Sequence, residues 1–223
     1  MAPQSTQSIH IVMFPIIVFG RVSPFIQLSN MLSYHGVRIS FLTIPGFIPR
    51  VQNLLTPSPN SRIIPLHIPP TILGLSPDVA GTADLPPSEA VKLITIIDHT
   101  QPQIKSILAD LKPHFVFFNF AQHWLLALAS EIGIKTLYFS VFSAITKAYM
   151  SVPERLTAVV GHAITQEDLT EPPSGFPMKY YHGNRLIKTF EARTFLFVFE
   201  LIEGSPSNYD RVLEGMNGCS AIV

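Results

Sequence analysis

Short apolar runs alternate along this chain with longer stretches in which apolar residues return every three or four positions, the pattern of a parallel sheet wrapped by helices. Ile9 to Pro15 (IHIVMFP) predicts a buried first strand. Beyond it, Phe19-Gly20-Arg21-Val22-Ser23-Pro24 reads as a tight turn, with Ser23 as N-cap and Pro24 in the first turn of a helix that runs to His35. That helix places Phe25, Leu28 and Leu32 on one face, with Ile26 beside them, and Gly36 supplies its stop. Val37 to Thr43 predicts a second strand and, after a Pro-rich connection, Arg62 to Ile68 a third. Pro65 cannot donate to a ladder, so the third strand belongs at an edge. Pro69 to Pro87 reads as a surface loop, and Ser88 to Leu111 as a helix with a stripe of Ile94, Ile97, Ile104, Leu108 and Leu111 that Pro102 should kink. His114 to Phe120 (HFVFFNF) and Lys135 to Ser143 (KTLYFSVFS) predict two more strands, separated by a helix from Ala121 to Ile132 that Gly133 closes. Glu167 to Pro177 reads as a polar, Pro-rich loop, and Leu186, Phe190, Phe197 and Leu201 mark another amphipathic helix. Cys219 to Val223 reads as the opening of a strand, so the chain is expected to end inside an element.

These elements predict a Rossmann-like α/β fold, a doubly wound and mainly parallel sheet with helices on both faces, in a single domain over residues 1–223. In such sheets ligands sit beyond the carboxyl ends of the strands. That rule selects residues 16–23, 119–123 and 142–146, which are expected to line one cleft. Its walls would include Ile16, Ile17, Phe19, Phe120, Trp124 and Phe142, an apolar and aromatic surface suited to a flat organic molecule.

Composition narrows the ligand class. Of 223 residues 47% are hydrophobic and 13% charged, enough apolar material for a substantial core. Lys plus Arg and Asp plus Glu number 15 each, so no basic field gathers nucleic acid or anionic lipid. The single cysteine, Cys219, offers neither an internal disulfide nor a metal cluster, which suits a reducing compartment such as the cytosol. The N-terminal apolar stretch is interrupted by Pro15 and ended by Arg21, short of the ~20 residues a bilayer span requires, and no signal peptide is expected. No His/Cys cluster has metal spacing, and neither a Gly-x-Gly-x-x-Gly nor a Walker loop is present. His10 lies inside the first strand and is expected to face core or backbone, whereas His123, just past Asn119, is the histidine nearest the predicted cleft.

HIVMFP followed by FG-x-x-SPFIQLSNMLS, then KPHFVFFNFAQHW with LASEIGIKTLYFSVFSA, then QEDLTEPPSGFP, resembles the N-terminal domain of the plant UDP-sugar-dependent glycosyltransferases. The similarity runs from His10 to Val223 and is strongest to the branch that adds a second sugar to flavonoid or terpenoid glycosides. The resemblance implies the N-terminal half of a GT-B fold, with the acceptor held by this half and the UDP-sugar mainly by a C-terminal donor domain, here absent. It implies no cofactor beyond the UDP-sugar, which is a co-substrate only if a donor domain is supplied. In that family a histidine after the first strand deprotonates the acceptor hydroxyl and an aspartate after the fourth orients it. The matching positions here are Arg21, next to Gly20, and Asn119.

Both members of the dyad are thus replaced. Arg keeps its proton at any working pH and offers no lone pair, so Arg21 cannot be a general base. Asn119 is uncharged and cannot stabilise an imidazolium. Arg21 either pairs with Asn119 or points into solvent, and Asn119 either makes that pair or caps the helix that follows. Two functions follow. The chain is the acceptor-binding half of a glycosyltransferase acting on a hydroxyl of a small plant metabolite, impaired as it stands, or a non-catalytic protein that binds acceptor-like molecules or partners an intact glycosyltransferase.

Overall fold

Residues His10–Phe14 form β1, and all five are buried, as a strand covered on both faces requires. The computed structural model describes residues 8–68, 90–157, 163–176, 187–200 and 204–223. The helix after β1, α1, spans Phe19–Tyr34 and so begins five residues ahead of the position that Ser23-Pro24 predicts. Val18 precedes it in extended conformation and its carbonyl accepts the N–H groups of Arg21 and Val22 at 2.8 and 2.9 Å. Pro24 therefore lies inside the helix, where its missing N–H removes one bond, to the Gly20 carbonyl, close to the end. Gly36, at φ +82°, follows the helix in the left-handed conformation that glycine adopts freely.

Strand β2 is Arg38–Thr43 and β3 is Ser61–Pro65. The Pro-rich connection between them holds a 3-10 turn, Pro45–Phe47, and a helix, α2, Ile48–Leu54; in each a proline occupies one of the first two positions, where no N–H partner is lost. The predicted loop over 69–87 lies outside the described residues. The predicted long helix is divided into α3, Ala90–His99, and α4, Gln101–Leu111, because Pro102 starts a new helix rather than kinking the old one. Thr100 at the junction donates its hydroxyl to the Ile97 carbonyl at 2.6 Å. Strand β4 (Phe115–Phe118), a 3-10 turn (Phe120–Gln122), α5 (Leu125–Glu131), β5 (Lys135–Tyr138) and β6 (Ala221–Ile222) follow.

The strands form a six-stranded sheet in the order β3-β2-β1-β4-β5-β6, parallel at every pairing. The chain winds outward from β1 to β3 and then restarts at β4 on the other side of β1, the reversal that defines a doubly wound sheet. Pro65 lies on edge strand β3, as expected. Phe14, Phe25, Phe41 and Phe118 are fully buried in this sheet's core.

Contacts divide the chain into two compact units, residues 1–141 with 218–223, and residues 142–217. The second contains α6 (Ala144–Met150), α7 (Glu154–Thr157), α8 (Thr189–Phe195) and most of α9 (Asn208–Gly218). Of the helix predicted from Leu186 to Leu201, α8 and a 3-10 turn (Leu196–Val198) are described, while Leu186 and Leu201 lie outside the described residues. The core of this unit is Tyr149, Met150, Leu169, Phe176 and Ala192. Beside it, Arg155 is only 2% exposed and donates to the carbonyls of Tyr149, Asp168 and Glu171 at 2.7–3.2 Å, with its guanidinium over the Tyr149 ring. No helix among the described residues is long and apolar enough to cross a membrane.

His10 is buried at the amino end of β1, and burial, followed by the charges of Arg38 and Arg62, lowers its pKa to about 4. A base whose folded pKa is lowered binds more protons unfolded than folded between the two values. The stability it contributes is complete above its ordinary pKa of 6.5 and is lost as pH falls from there to about 4. Thermal melts between pH 7 and 4 are expected to show a steeper fall in Tm for the native chain than for His10→Gln; parallel curves would contradict this.

Candidate functional site

In the register of β1 and β4, Phe14 faces Phe118, so the two loops leave the carboxyl edge of the sheet side by side at the point where the strand order reverses. From one loop comes Arg21, in the first turn of α1; from the other come Asn119, Phe120, His123 and Trp124. Asn119 is 1% exposed, and its Oδ1 accepts the backbone N–H of Ile16 at 3.2 Å. An N–H can only donate, so the carbonyl end of the amide must face Ile16. The Asn119 N–H in turn donates to Gln122 Oε1 at 3.4 Å, half of a capping box at the start of the 3-10 turn. Asn119 Nδ2 and Gln122 Nε2 remain buried without a hydrogen-bond partner.

The Arg21 guanidinium lies over the Phe120 ring, 5.4 Å from its centroid, within cation–π range. Burial lowers its pKa to about 10, and Tyr138 at the end of β5 opposes that shift. Tyr138 is 2% exposed, and burial raises its phenol far above the usual value although Arg21 pulls the other way. Arg21 therefore stays cationic at neutral pH, inside the first turn of a helix that has no acidic residue there. The helix dipole favours negative or neutral groups at that point, so a histidine there would be held neutral, with a lone pair to offer, whereas arginine cannot supply one.

The other residues expected at the site occupy different surroundings. Ile16 and Ile17 are each 2% exposed and pack in the core; the contribution of Ile16 to the site is its backbone N–H. Gly20 is exposed, and a Cβ built on it meets nothing within 4 Å, so steric crowding does not require glycine there. The side chain of Phe19 lies outside the described residues. Trp124 is half-buried, donates its indole N–H to Asp98 Oδ1 at 2.9 Å and packs against Phe14. His123 is half-buried next to it. Phe142 belongs to the second unit, 40% exposed, with Lys147 Nζ 5.5 Å from its ring centroid. Sequence reasoning passed over Tyr138 and Gln122. The strand-end rule that picked Asn119 would have picked Tyr138 as well, had the fifth strand been ended at its true last residue. No group of three or more His, Cys, Asp or Glu residues suited to a metal ion occurs among the described residues.

No family model matches the chain. Over 220 residues, 98% of its length, it is 47% identical to the inactive UDP-glycosyltransferase 79A6 of Glycine max and covers 67% of that protein. The chain belongs to the plant UDP-glycosyltransferases. It is 44% identical over 219 residues to the anthocyanidin-3-O-glucoside rhamnosyltransferase of Petunia hybrida, covering 98% of this chain and 45% of that enzyme, so it spans about half the length of such a relative. In fold it is similar to Os79 of O. sativa, solved in complex with UDP, at a TM-score of 0.58 and 18% identity, over 95% of this chain and 45% of that one. A parallel α/β sheet corresponding to half of a GT-B glycosyltransferase is thus the architecture of this family member.

The Asn119–Ile16 bond makes a measurable statement about the site. Asn119→Ala leaves a buried N–H without an acceptor, an expected cost of about 1–3 kcal/mol. Denaturant unfolding should show a lower midpoint at unchanged slope, while Asn119→Asp, which keeps the acceptor oxygen, should lose less; equal losses would argue against the bond.

Proposed function

We propose that this chain is the acceptor-binding half of a UDP-glycosyltransferase whose catalytic dyad has been dismantled, so that it holds a small plant metabolite or its glycoside without deprotonating it. The observation that carries this reading is the residue at position 21. The lineage's reaction displaces UDP from the sugar by an acceptor hydroxyl, whose proton must leave as the new C–O bond forms. A guanidinium with a pKa of about 10 is already protonated at neutral pH, and loss of such a base costs ~10² to 10⁴-fold in rate. Asn119 cannot supply the negative charge that would stabilise an imidazolium, and its accepting oxygen is engaged by Ile16. A flavonoid glycoside as acceptor is supported by the likeness to the petunia anthocyanidin-3-O-glucoside rhamnosyltransferase and by Phe120 and Trp124 beside the site. The donor sugar nucleotide would be bound mainly by a second domain, in the same or another chain, within a reducing compartment such as the cytosol.

The same substitution favours a second reading, a non-catalytic partner of an intact glycosyltransferase. Two measurements separate these readings. Trp124 is the chain's only tryptophan, so titration with a flavonoid 3-O-glucoside should change its fluorescence saturably if the acceptor site is kept; a flat titration favours the partner role. In a fusion to the donor half of the petunia enzyme, transfer is expected only when Arg21→His and Asn119→Asp are combined, with the unrepaired fusion at least about 10²-fold slower. Equal rates with and without repair would overturn the proposal.

A further inference from the structure

At the opposite end of the strands, the amino ends of β1, β2 and β3 gather cations that the carboxyl-end site does not use. His10 faces Arg38 in the register of β1 and β2, and Ser40 faces Arg62 in that of β2 and β3. Arg38 Nη2 lies 3.0 Å from His10 Nδ1; a guanidinium can only donate, so Nδ1 is the unprotonated nitrogen. Nε2–H of His10 then donates to Ser40 Oγ at 2.9 Å, and the same hydroxyl accepts Arg62 Nε–H at 3.1 Å. Two guanidiniums are in this way fixed at the two ends of one buried imidazole, with Ser40 between on one side. His114, just ahead of β4, accepts the His10 backbone N–H on Nδ1 at 3.0 Å, which leaves Nε2 as its hydrogen-bearing nitrogen.

Like charges fixed this close repel one another, and a carboxylate is the usual remedy. Among the described residues neither arginine is paired with a carboxylate, whereas Lys105 is paired with Glu131. Arg38, Arg62 and His114 are all exposed, so the guanidinium N–H groups that His10 and Ser40 leave unused stay accessible. We propose that Arg38 and Arg62, with His114 beside them, form a binding site for a phosphate-class dianion at the amino edge of the sheet, remote from the acceptor site. The guanidinium fork matches the oxygens of phosphate two at a time, and two fixed cations match a double negative charge. Free phosphate and a sugar phosphate share this chemistry.

Binding at this place has a signature of its own. The groups that face His10 are Arg38 from β2, Arg62 from β3 and His114 ahead of β4, which disfavour its protonation, and the Leu111 carbonyl at the end of α4, which favours it. A bound phosphate offsets the field of the two guanidiniums, so its arrival raises the His10 pKa.

The test is an NMR titration of the His10 imidazole in the intact chain, with inorganic phosphate or glucose 6-phosphate added and ionic strength held constant with sodium chloride. The expected result is a saturable upward move of the His10 pKa in one or both arms, with the tighter ligand identifying the source. Arg62→Gln, an exposed change on an edge strand, is expected to weaken binding about tenfold, the effect of one lost charge-assisted contact. Arg38→Gln should do the same; should it unfold the chain, Arg62→Gln still decides. An effect no larger than that of chloride at equal ionic strength, or one that survives Arg62→Gln, overturns the proposal.

Discussion

The hydrogen bond from the Ile16 backbone to the Asn119 side chain is the contact on which the site depends. It joins the loops that leave β1 and β4, the central pair of the sheet, at the place where the winding changes direction. Because Asn119 is almost wholly removed from water, the bond has no solvent competitor, and loss of either partner leaves the other stranded. It also fixes which end of the amide faces the loop, and so leaves Nδ2 as an idle donor in the interior. A carboxylate in the same place would keep the accepting oxygen and replace the idle donor with a charged acceptor. The fold therefore accommodates asparagine at this position through its oxygen alone.

Arg21 and Arg155 show two ways of keeping a cation out of water. Arg155, in the second unit, is surrounded by backbone carbonyls that use its donors from several directions and hold the segment around Asp168 against Tyr149. Arg21 lies over an aromatic face and close to a buried phenol, in a helix turn whose dipole does not welcome it. Burial lowers the pKa of both, and the electrostatic contribution of a tyrosine opposes it in each case. Arg155 is built into its surroundings. Arg21 is accommodated by groups whose positions the two loops set.

The strands were legible because a parallel strand covered on both faces must be apolar throughout, and β1 and β4 are such runs. The edge position of β3 followed from one proline without an N–H. The start of α1 was misread because Ser-Pro marks a helix opening yet is also tolerated a turn further in. The apolar run from Lys135 to Ser143 hid the end of β5 at Tyr138, and with it the residue that faces Arg21. Prolines disguised α2 as loop, although proline in a first turn is a helix signal too. Arg21 and Asn119 could be located from strand ends alone. Their surroundings could not, since the bond between Asn119 and Ile16 spans 103 positions of sequence.

Edge strand β3 closes one margin of the sheet with Pro65, which lacks a donor, and with the exposed charge of Arg62. A neighbouring molecule seeking to extend the sheet there would meet a missing hydrogen bond and a fixed cation. The margin is thus shielded against edge-to-edge pairing into fibres by the same arginine whose charge no carboxylate among the described residues balances.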